Sequence, residues 1–304
     1  MAATGFHEQF VVTKERILWQ HVVGPPDNIR SALQAKGFSL ASYAEPNSSV
    51  RAEFDDYHRF YSARIFRLRF DDHGDRVCAQ PLYVWANREI VLSWTPEPLA
   101  ELGDVRKKLT ENTEWVQSPE RLVYYLFDEV LGSLFPFLDQ INDRIAALEQ
   151  HIFGRDQESH IQSRLFHLKR EILQTRRILA SMRDTISQLV RYWTANAPKD
   201  PFYYMELYDH MIRLFDTIDT YRELMNSVVD MHLSTVSNRL NEIVKTLTLV
   251  TTVLLPASLM AALYGMNFDY LPLAHYRWGF LVIIGVIGAI SGSLYWIFRR
   301  RRWL

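Results

Sequence analysis

The sequence predicts an α+β membrane protein, in which a soluble N-terminal domain of mixed strands and helices precedes a long helical stalk and two C-terminal transmembrane helices. Two charge-free apolar runs, residues 246–264 and 279–298, each approach the ~20 residues that a helix needs to cross a bilayer core. The mean hydropathy of the whole chain is still slightly negative, at -0.13, so the apolar residues are concentrated at the C-terminal end. Residues 202–255 contain no glycine or proline, which favours one long helix leading into the first run.

Composition excludes several classes of protein. The chain has 34 basic and 35 acidic residues, whereas a general nucleic-acid binder would be clearly basic, so no nucleic-acid partner is expected. Cys78 is the single cysteine, which excludes an internal disulfide and suits a reducing compartment. The first ten residues lack the basic and apolar regions of a secretory signal. We therefore expect the large N-terminal domain to stay in the cytosol.

Four consecutive arginines, residues 299–302, follow the second apolar run directly. Basic residues beside a membrane span mark its cytoplasmic side, so residues 299–304 are predicted to be a cytosolic basic tail. With two spans, the N-terminal domain is also cytosolic, and residues 265–278 form an external loop. The alternative is that the arginine run is a nucleic-acid or sorting patch.

Residues 1–117 are predicted to form the cytosolic α/β domain. Residues 64–70 alternate arginine with apolar side chains, as expected of a strand, and the turn-forming residues 71–75 then predict a hairpin. A second hairpin is predicted from two further apolar stretches, residues 82–85 and 90–94.

Helix signals occur at two places ahead of the stalk. Asp27 is a candidate cap for a helix that Gly37 would end. Ser118 followed by Pro119 is typical of a helix start. The apolar spacing that follows predicts a cytosolic helical hairpin over residues 118–196.

Residues 202–264 are predicted to be the stalk helix, which continues into the first transmembrane helix with its membrane part at about 244–264. At a rise of ~1.5 Å per residue, some sixty residues make a helix about 90 Å long. A conformational change in the cytosol could therefore be transmitted to the membrane. Residues 279–298 are the predicted second transmembrane helix.

One face of the first transmembrane helix is more polar than a lipid-facing side should be. Neutral amide and hydroxyl groups can hydrogen-bond the water shell of a cation, and magnesium gives up its water reluctantly. Aliphatic residues on the same face could close a pore by dewetting. The alternative is a helix–helix packing face, where small hydroxyl residues are also common. The candidate pore-lining positions are Asn241, Val244, Leu247, Thr248, Thr251, Leu255 and Ser258.

The tripeptide Gly265-Met266-Asn267 follows the first apolar run. Gly265 can turn the chain as the helix ends, and Asn267 offers an uncharged carbonyl oxygen. One copy makes no filter, so a selectivity role requires a ring of copies. On spacing alone, a Gly-x-Asn sequence is usually only a turn.

Residues 264–268, Tyr-Gly-Met-Asn-Phe between two C-terminal spans, together with the C-terminal Arg-Arg-Trp-Leu, closely resemble the CorA family of divalent-cation channels. The resemblance extends upstream, in order and spacing, through residues 208–210, 216–222, 233–238, 241–242 and Pro256.

The resemblance implies a homopentamer in a bacterial inner membrane, with both termini cytoplasmic and a pore lined by the first span. It implies passive transport of magnesium, and often cobalt or nickel, with no cofactor beyond magnesium as substrate and regulator. Gly265, Met266 and Asn267 would form the external ring, and Asn241 the ring at the cytosolic end. The candidate pore-lining residues fall between these rings.

The family also closes its pore with cytosolic magnesium bound between neighbouring subunits. Glu206 matches the stalk carboxylate of that site, and Asp71 or Asp72 in the first hairpin is the expected partner. Carboxylate oxygens suit a hard cation. The alternatives are a solvated helix acid for Glu206 and a turn former for Asp71.

Departures from the family pattern leave the identity of the transported ion open. Leu273 stands where many relatives have a glutamate, which leaves Asp269 as the only acid of the external loop. His275 in the same loop would favour zinc, nickel or cobalt, so a zinc transporter of the same superfamily is the alternative. The zinc branch usually departs from the Met-Asn loop, which favours magnesium. Residues 120–191 carry ten acids and ten bases, whereas many relatives are strongly acidic there.

An enzyme is not expected, because no phosphate-binding loop, nucleophile elbow, Cys-x-x-Cys or His-Glu-x-x-His motif is present. Without an ATP site, transport should be passive. A more distant alternative is a membrane-anchored scaffold, which would show no ion flux and would need no polar stripe.

Overall fold

The computed structural model describes residues 7–12, 17–39, 50–71, 76–112, 115–153, 160–197, 201–266, 272 and 276–301, with the backbone alone for residues 7–12. The chain divides into two compact units, Met1–Val229 and Asp230–Leu304.

The first unit is built on a mixed six-stranded sheet. Its strands are β1 (His7–Val12), β2 (Ile17–Val23), β3 (Glu53–Asp56), β4 (Tyr61–Phe70), β5 (Val77–Ala86) and β6 (Ile90–Thr95). Their order in the sheet is β1-β2-β6-β5-β4-β3. Neighbouring strands are antiparallel except for β2 and β6, which run parallel.

Both predicted hairpins are confirmed, and an acidic or amide side chain closes each turn. Asp71 follows β4, and its carboxylate accepts the backbone N–H of Arg76 at 3.2 Å. The backbone N–H of Asp71 donates in turn to the carbonyl of Arg76 at 2.9 Å. Between β5 and β6, the side-chain oxygen of Asn87 accepts the N–H groups of Glu89 and Ile90 at 2.9 and 2.8 Å. The contact between Asn87 and Glu89 is an Asx turn, which reverses the chain with little strain.

The helices of the first unit begin and end at recognisable signals. Ser118 accepts the N–H of Arg121 at 3.1 Å, which confirms the predicted cap. Gly37 has φ +76° directly after the first helix, which is a common way to end one. The prediction for Asp27 is wrong, because Pro26 occupies the first helical position and the helix starts two residues earlier than predicted. The helices are α1 (Pro26–Ala35), α2 (Ala100–Glu111), α3 (Pro119–Gly132), α4 (Leu134–Phe153), α5 (Ile161–Asn196) and the beginning of α6 (Pro201–Tyr264).

Both faces of the sheet are covered by helices. On one face, α1 packs through Leu33 into a cluster with Trp85 of β5. Val84 points to the opposite face, because side chains alternate along a strand, and it is fully buried there. Helices α3 and α5 contact β4 and β5, and the indole N–H of Trp193 on α5 donates to the hydroxyl of Tyr61 at 3.1 Å. The first unit is therefore a three-layer arrangement of helix, sheet and helices.

The second unit contains the C-terminal part of α6 and the whole of α7 (Gly279–Arg300). Both helices are long and apolar enough to cross a membrane, with windows of mean hydropathy 1.8 and 2.1. Helix α6 continues past Pro256 without interruption. The hydroxyl of Ser291 on α7 donates to the carbonyl of Val253 on α6 at 3.1 Å. The predicted fold class is thus confirmed, whereas the finer domain boundaries stay predictions.

Candidate functional site

One side of the C-terminal part of α6, called its polar side below, carries one amide and three hydroxyl residues among three aliphatic ones. At about 100° per residue, the predicted pore-lining positions fall within about 60° on either side of Val244. Each of them is exposed in the single chain: Asn241, Val244, Leu247, Thr248, Thr251, Leu255 and Ser258.

Helix α7 covers a different side of α6. Val253, whose carbonyl accepts the Ser291 hydroxyl, lies about 180° from Val244 around the helix. Leu249 lies about 140° away, and it is only 8% exposed, whereas Leu247 and Leu255 are 65% and 60% exposed. The polar side of α6 is therefore not the side that packs on α7 of the same chain.

The threonines of this side keep hydrogen-bond acceptors available. The hydroxyl of Thr248 donates to the carbonyl of Val244 at 2.7 Å, and that of Thr251 donates to the carbonyl of Leu247 at 2.8 Å. A hydroxyl has one hydrogen and two lone pairs. Because the hydrogen is held by the helix backbone, the oxygen acts as an acceptor toward anything that approaches this side.

Helix α6 ends at a tight turn. The N–H of Gly265 donates to the carbonyls of Ala261 and Ala262, at 2.9 and 3.2 Å. A Cβ atom on Gly265 would lie 3.2 Å from the Ala261 carbonyl oxygen, which is closer than ordinary packing. The hydroxyl of Tyr264 donates to the carbonyl of Pro272 at 2.8 Å, which ties the loop to the helix end. Gly265 therefore permits a close turn that a larger residue would strain.

A polar cluster surrounds Glu206 in the first unit. The hydroxyl of Tyr124 on α3 donates to the Glu206 carboxylate at 3.0 Å. His210, one turn further along α6, lies with its Nδ1 2.8 Å from the Asp128 carboxylate. Burial raises the pKa of Asp128, the neighbouring His210 opposes that shift, and the charge of Glu206 adds to it. Burial also raises the pKa of the Tyr124 hydroxyl, which keeps it a hydrogen-bond donor.

A family model described as CorA-like Mg²⁺ transporter protein matches residues 14–300. The chain belongs to this family. CorA family members are ion transporters and not enzymes.

Individual relatives match this chain over most of its length. The cobalt/magnesium transport protein CorA of Thermotoga maritima is 29% identical over 258 residues, which cover 84% of this chain and 72% of the relative. The solved structure of the CorA magnesium transporter from Methanocaldococcus jannaschii matches with a TM-score of 0.79 at 22% identity, over 95% of this chain and 92% of that one. The ZntB cytoplasmic domain from Vibrio parahaemolyticus matches with a TM-score of 0.59 at 15% identity, over 73% of this chain and 88% of that one. At these identities the two structures show the fold alone.

Several site residues that the sequence analysis named lie outside the described residues: Asp72, Asn267, Asp269 and His275. Asp71 and Glu206 are described, and they have different neighbours in the single chain. Asp71 closes the first hairpin, as the turn-former alternative expected, whereas Glu206 contacts Tyr124. Among the described residues, no group of three or more His, Cys, Asp or Glu side chains is arranged to hold a metal ion. A regulatory metal site in this CorA family member therefore stays a prediction that requires a second subunit.

The polar cluster around Glu206 was not predicted from the sequence. His210 follows Glu206 by four residues on α6, so a helix places both on one face, and that spacing could have indicated that the two lie in the same cluster. Tyr124 and Asp128 come from α3, each separated by 82 residues from its partner on α6. No local pattern in the sequence indicates that contact.

Proposed function

We propose that the chain is one subunit of a CorA-type homopentameric channel in the bacterial inner membrane, with both termini in the cytoplasm. It passes hydrated divalent cations down their electrochemical gradient, with magnesium as the main ion and cobalt or nickel as further substrates. The observation that carries this proposal is the exposed polar side of α6, which lies away from α7 and leads to Gly265 and Met266.

The chemistry of this side suits a cation that keeps its water. Water molecules bound to a cation point their oxygens inward and their hydrogens outward, so a pore wall must accept hydrogen bonds. Thr248 and Thr251 present hydroxyl oxygens whose hydrogens are already donated to the helix backbone. Such groups hold the water shell without replacing it, which matches the reluctance of magnesium to lose water.

A single polar stripe cannot enclose a pore, so several copies of α6 must surround it. The exposed Val244, Leu247 and Leu255 would then face the axis between the polar rings and could close the pore by dewetting. Gly265, Met266 and Asn267 would form the external ring and Asn241 the cytosolic one. This assembly accounts for apolar and hydroxyl groups that the single chain leaves uncovered.

Regulation is proposed to occur between neighbouring subunits, where Glu206 and either Asp71 or Asp72 would bind cytosolic magnesium and hold the channel shut. Glu206 is half-buried, and Tyr124 orients one of its oxygens. Loss of the bound cation would leave like charges facing one another and would favour opening.

The test is ion flux into proteoliposomes that contain the purified full chain. Uptake of magnesium, cobalt, nickel and zinc is compared with that of empty liposomes, with Asn267→Ala as a variant of the external ring. We expect magnesium uptake without ATP, and a large loss in Asn267→Ala. Rates equal to those of empty liposomes for every ion would refute the channel and favour a scaffold.

A zinc transporter is the second candidate, and it rests on His275 in the external loop. Imidazole is a better ligand for zinc, nickel and cobalt than for magnesium. Zinc uptake far above magnesium uptake, reduced in His275→Ala, would favour this candidate. If His275→Ala keeps the ion preference of wild type, His275 does not determine which ion is transported.

A further inference from the structure

A basic cavity of about 600 Å³ lies in the first unit. Three elements form its wall: the residue before β5, the middle of α4 and the first turns of α5. We propose that this cavity binds an anion that carries two or more phosphate groups. The polar residues that line it are Arg76, Arg144, His160, Ser163, Arg164, His167 and Glu171.

The charge of the lining favours an anion. Among the described lining residues, three arginines face one carboxylate, Glu171. Helix α5 as a whole carries seven arginines and lysines against two acids. Further along this helix, two of these bases have acidic partners: Asp219 for Arg176 at 2.6 Å and Asp184 for Arg183 at 3.1 Å. Among its described residues, the lining therefore carries more positive than negative charge.

Arg144 is held in place by an aromatic contact and an ion pair. Its guanidinium lies 3.6 Å from the centre of the Phe70 ring, which fixes its plane. The distance from its Nη1 to the Glu171 carboxylate is 3.4 Å, which is long for a charged hydrogen bond. A guanidinium fixed by stacking is well suited to bind phosphate oxygens in pairs.

The remaining donors come from separate elements. Hydrogen bonds of the hairpin between Asp71 and Arg76 fix the backbone of Arg76. Within the described part of the chain, the side chains of Arg76, His160 and His167 form no hydrogen bond or ion pair. Donors spread over a hairpin and two helices match a ligand with several anionic groups better than a single carboxylate. The cavity also has the size of ordinary small-molecule sites, about 300–1,000 Å³.

The test is isothermal titration calorimetry on the full chain in detergent, with EDTA present because bound magnesium would neutralise part of the phosphate charge. Tripolyphosphate and ATP are the two probes, since the phosphate groups could belong to an inorganic chain or to a nucleotide. The variant is Arg76→Ala combined with Arg164→Ala, both exposed positions. The matched control is Arg170→Ala, an exposed arginine of α5 outside the cavity.

We expect both probes to bind wild type, with affinity at least tenfold weaker in the double variant and unchanged in Arg170→Ala. If ATP binds more tightly than tripolyphosphate and the double variant loses this binding, the result supports the site and indicates that the phosphate groups belong to a nucleotide. Absence of heat with both probes at millimolar concentration would overturn the proposal. Equal affinity of wild type and the double variant, or an equal loss in the control, would overturn it as well. Thermal melting of all variants verifies that each chain is folded.

Discussion

Replacement of Thr248 by valine is the sharpest perturbation of the proposed ion pathway. Valine keeps the branched shape of threonine and exchanges the hydroxyl for a methyl group, so the width of a pore would hardly change. Thr246 provides a matched control, because its hydroxyl also donates to the helix backbone, at 2.9 Å to the carbonyl of Glu242. It is exposed like Thr248, but it lies about 160° away around the helix.

The expected magnitude follows from the hydrogen bonds that a hydrated ion would lose. A net hydrogen bond contributes about 0.5–1.5 kcal/mol. If two of five hydroxyls in a ring contact the water shell at the narrowest point, the barrier rises by about 1–3 kcal/mol. At about 1.4 kcal/mol per tenfold in rate, the flux of Thr248→Val falls roughly fivefold to a hundredfold.

The assay is magnesium influx into proteoliposomes, followed with an entrapped fluorescent indicator at matched protein content. Thr248→Val should lose flux to that extent, and Thr246→Val should transport like wild type. Equal losses in the two variants would mean that the hydroxyls act only on helix stability. Unchanged flux in Thr248→Val would refute a water-lined polar side of α6.

Three further predictions concern regulation, pH dependence and the turn after α6. Glu206→Gln keeps an acceptor for the Tyr124 hydroxyl but removes the charge, so its magnesium flux should resist inhibition by cytosolic magnesium. The flux of Tyr124→Phe should still be inhibited. If cytosolic magnesium inhibits both variants like wild type, Glu206 is not part of the proposed regulatory site. Burial lowers the pKa of His21 from 6.5 to about 4, so its contribution to stability is complete above pH 6.5 and is lost as the pH falls toward 4, by roughly 3 kcal/mol in total. Thermal melting between pH 7.5 and 5 should show this decline, and His21→Gln should flatten it; an equally steep decline in that variant would assign it to other groups. Gly265→Ala brings a Cβ atom to 3.2 Å from a backbone oxygen, whereas the Cβ atom of Gly288→Ala meets nothing within 4 Å. We therefore expect a lower melting temperature and a lower flux in Gly265→Ala alone. Equal melting temperatures and fluxes in the two variants would contradict a close turn at Gly265.

The features that the sequence predicted well are those that local chemistry determines. The two apolar runs require only composition, and α6 and α7 contain them. The hairpins follow from alternating strands joined by turn-forming residues, so Asp71 could be placed in a turn before the structure was known. The helix start at Ser118 likewise depends on a single side-chain hydrogen bond.

The features that the sequence did not predict depend on contacts between distant segments. The parallel pairing of β2 with β6 joins strands that are separated by β3, β4 and β5 along the chain. The contact between Glu206 and Tyr124 requires α3 and the beginning of α6 to pack side by side. The basic cavity gathers Arg76, Arg144 and Arg164 from three elements, and none of the three has a distinctive sequence context. Such contacts follow from the packing of the whole unit and leave no local pattern.

In the proposed channel, the polar side of α6 faces water on the path of the ion. Because Cys78 is the only cysteine, Cys78→Ser provides a background in which single cysteines can be introduced at Thr251 and at Thr246. The measurement is magnesium influx before and after treatment with a charged, water-soluble thiol reagent. Block of influx in Thr251→Cys and not in Thr246→Cys is the predicted result. Equal sensitivity of the two variants, or block in Thr246→Cys alone, would contradict the assignment of this side of α6 to the pore.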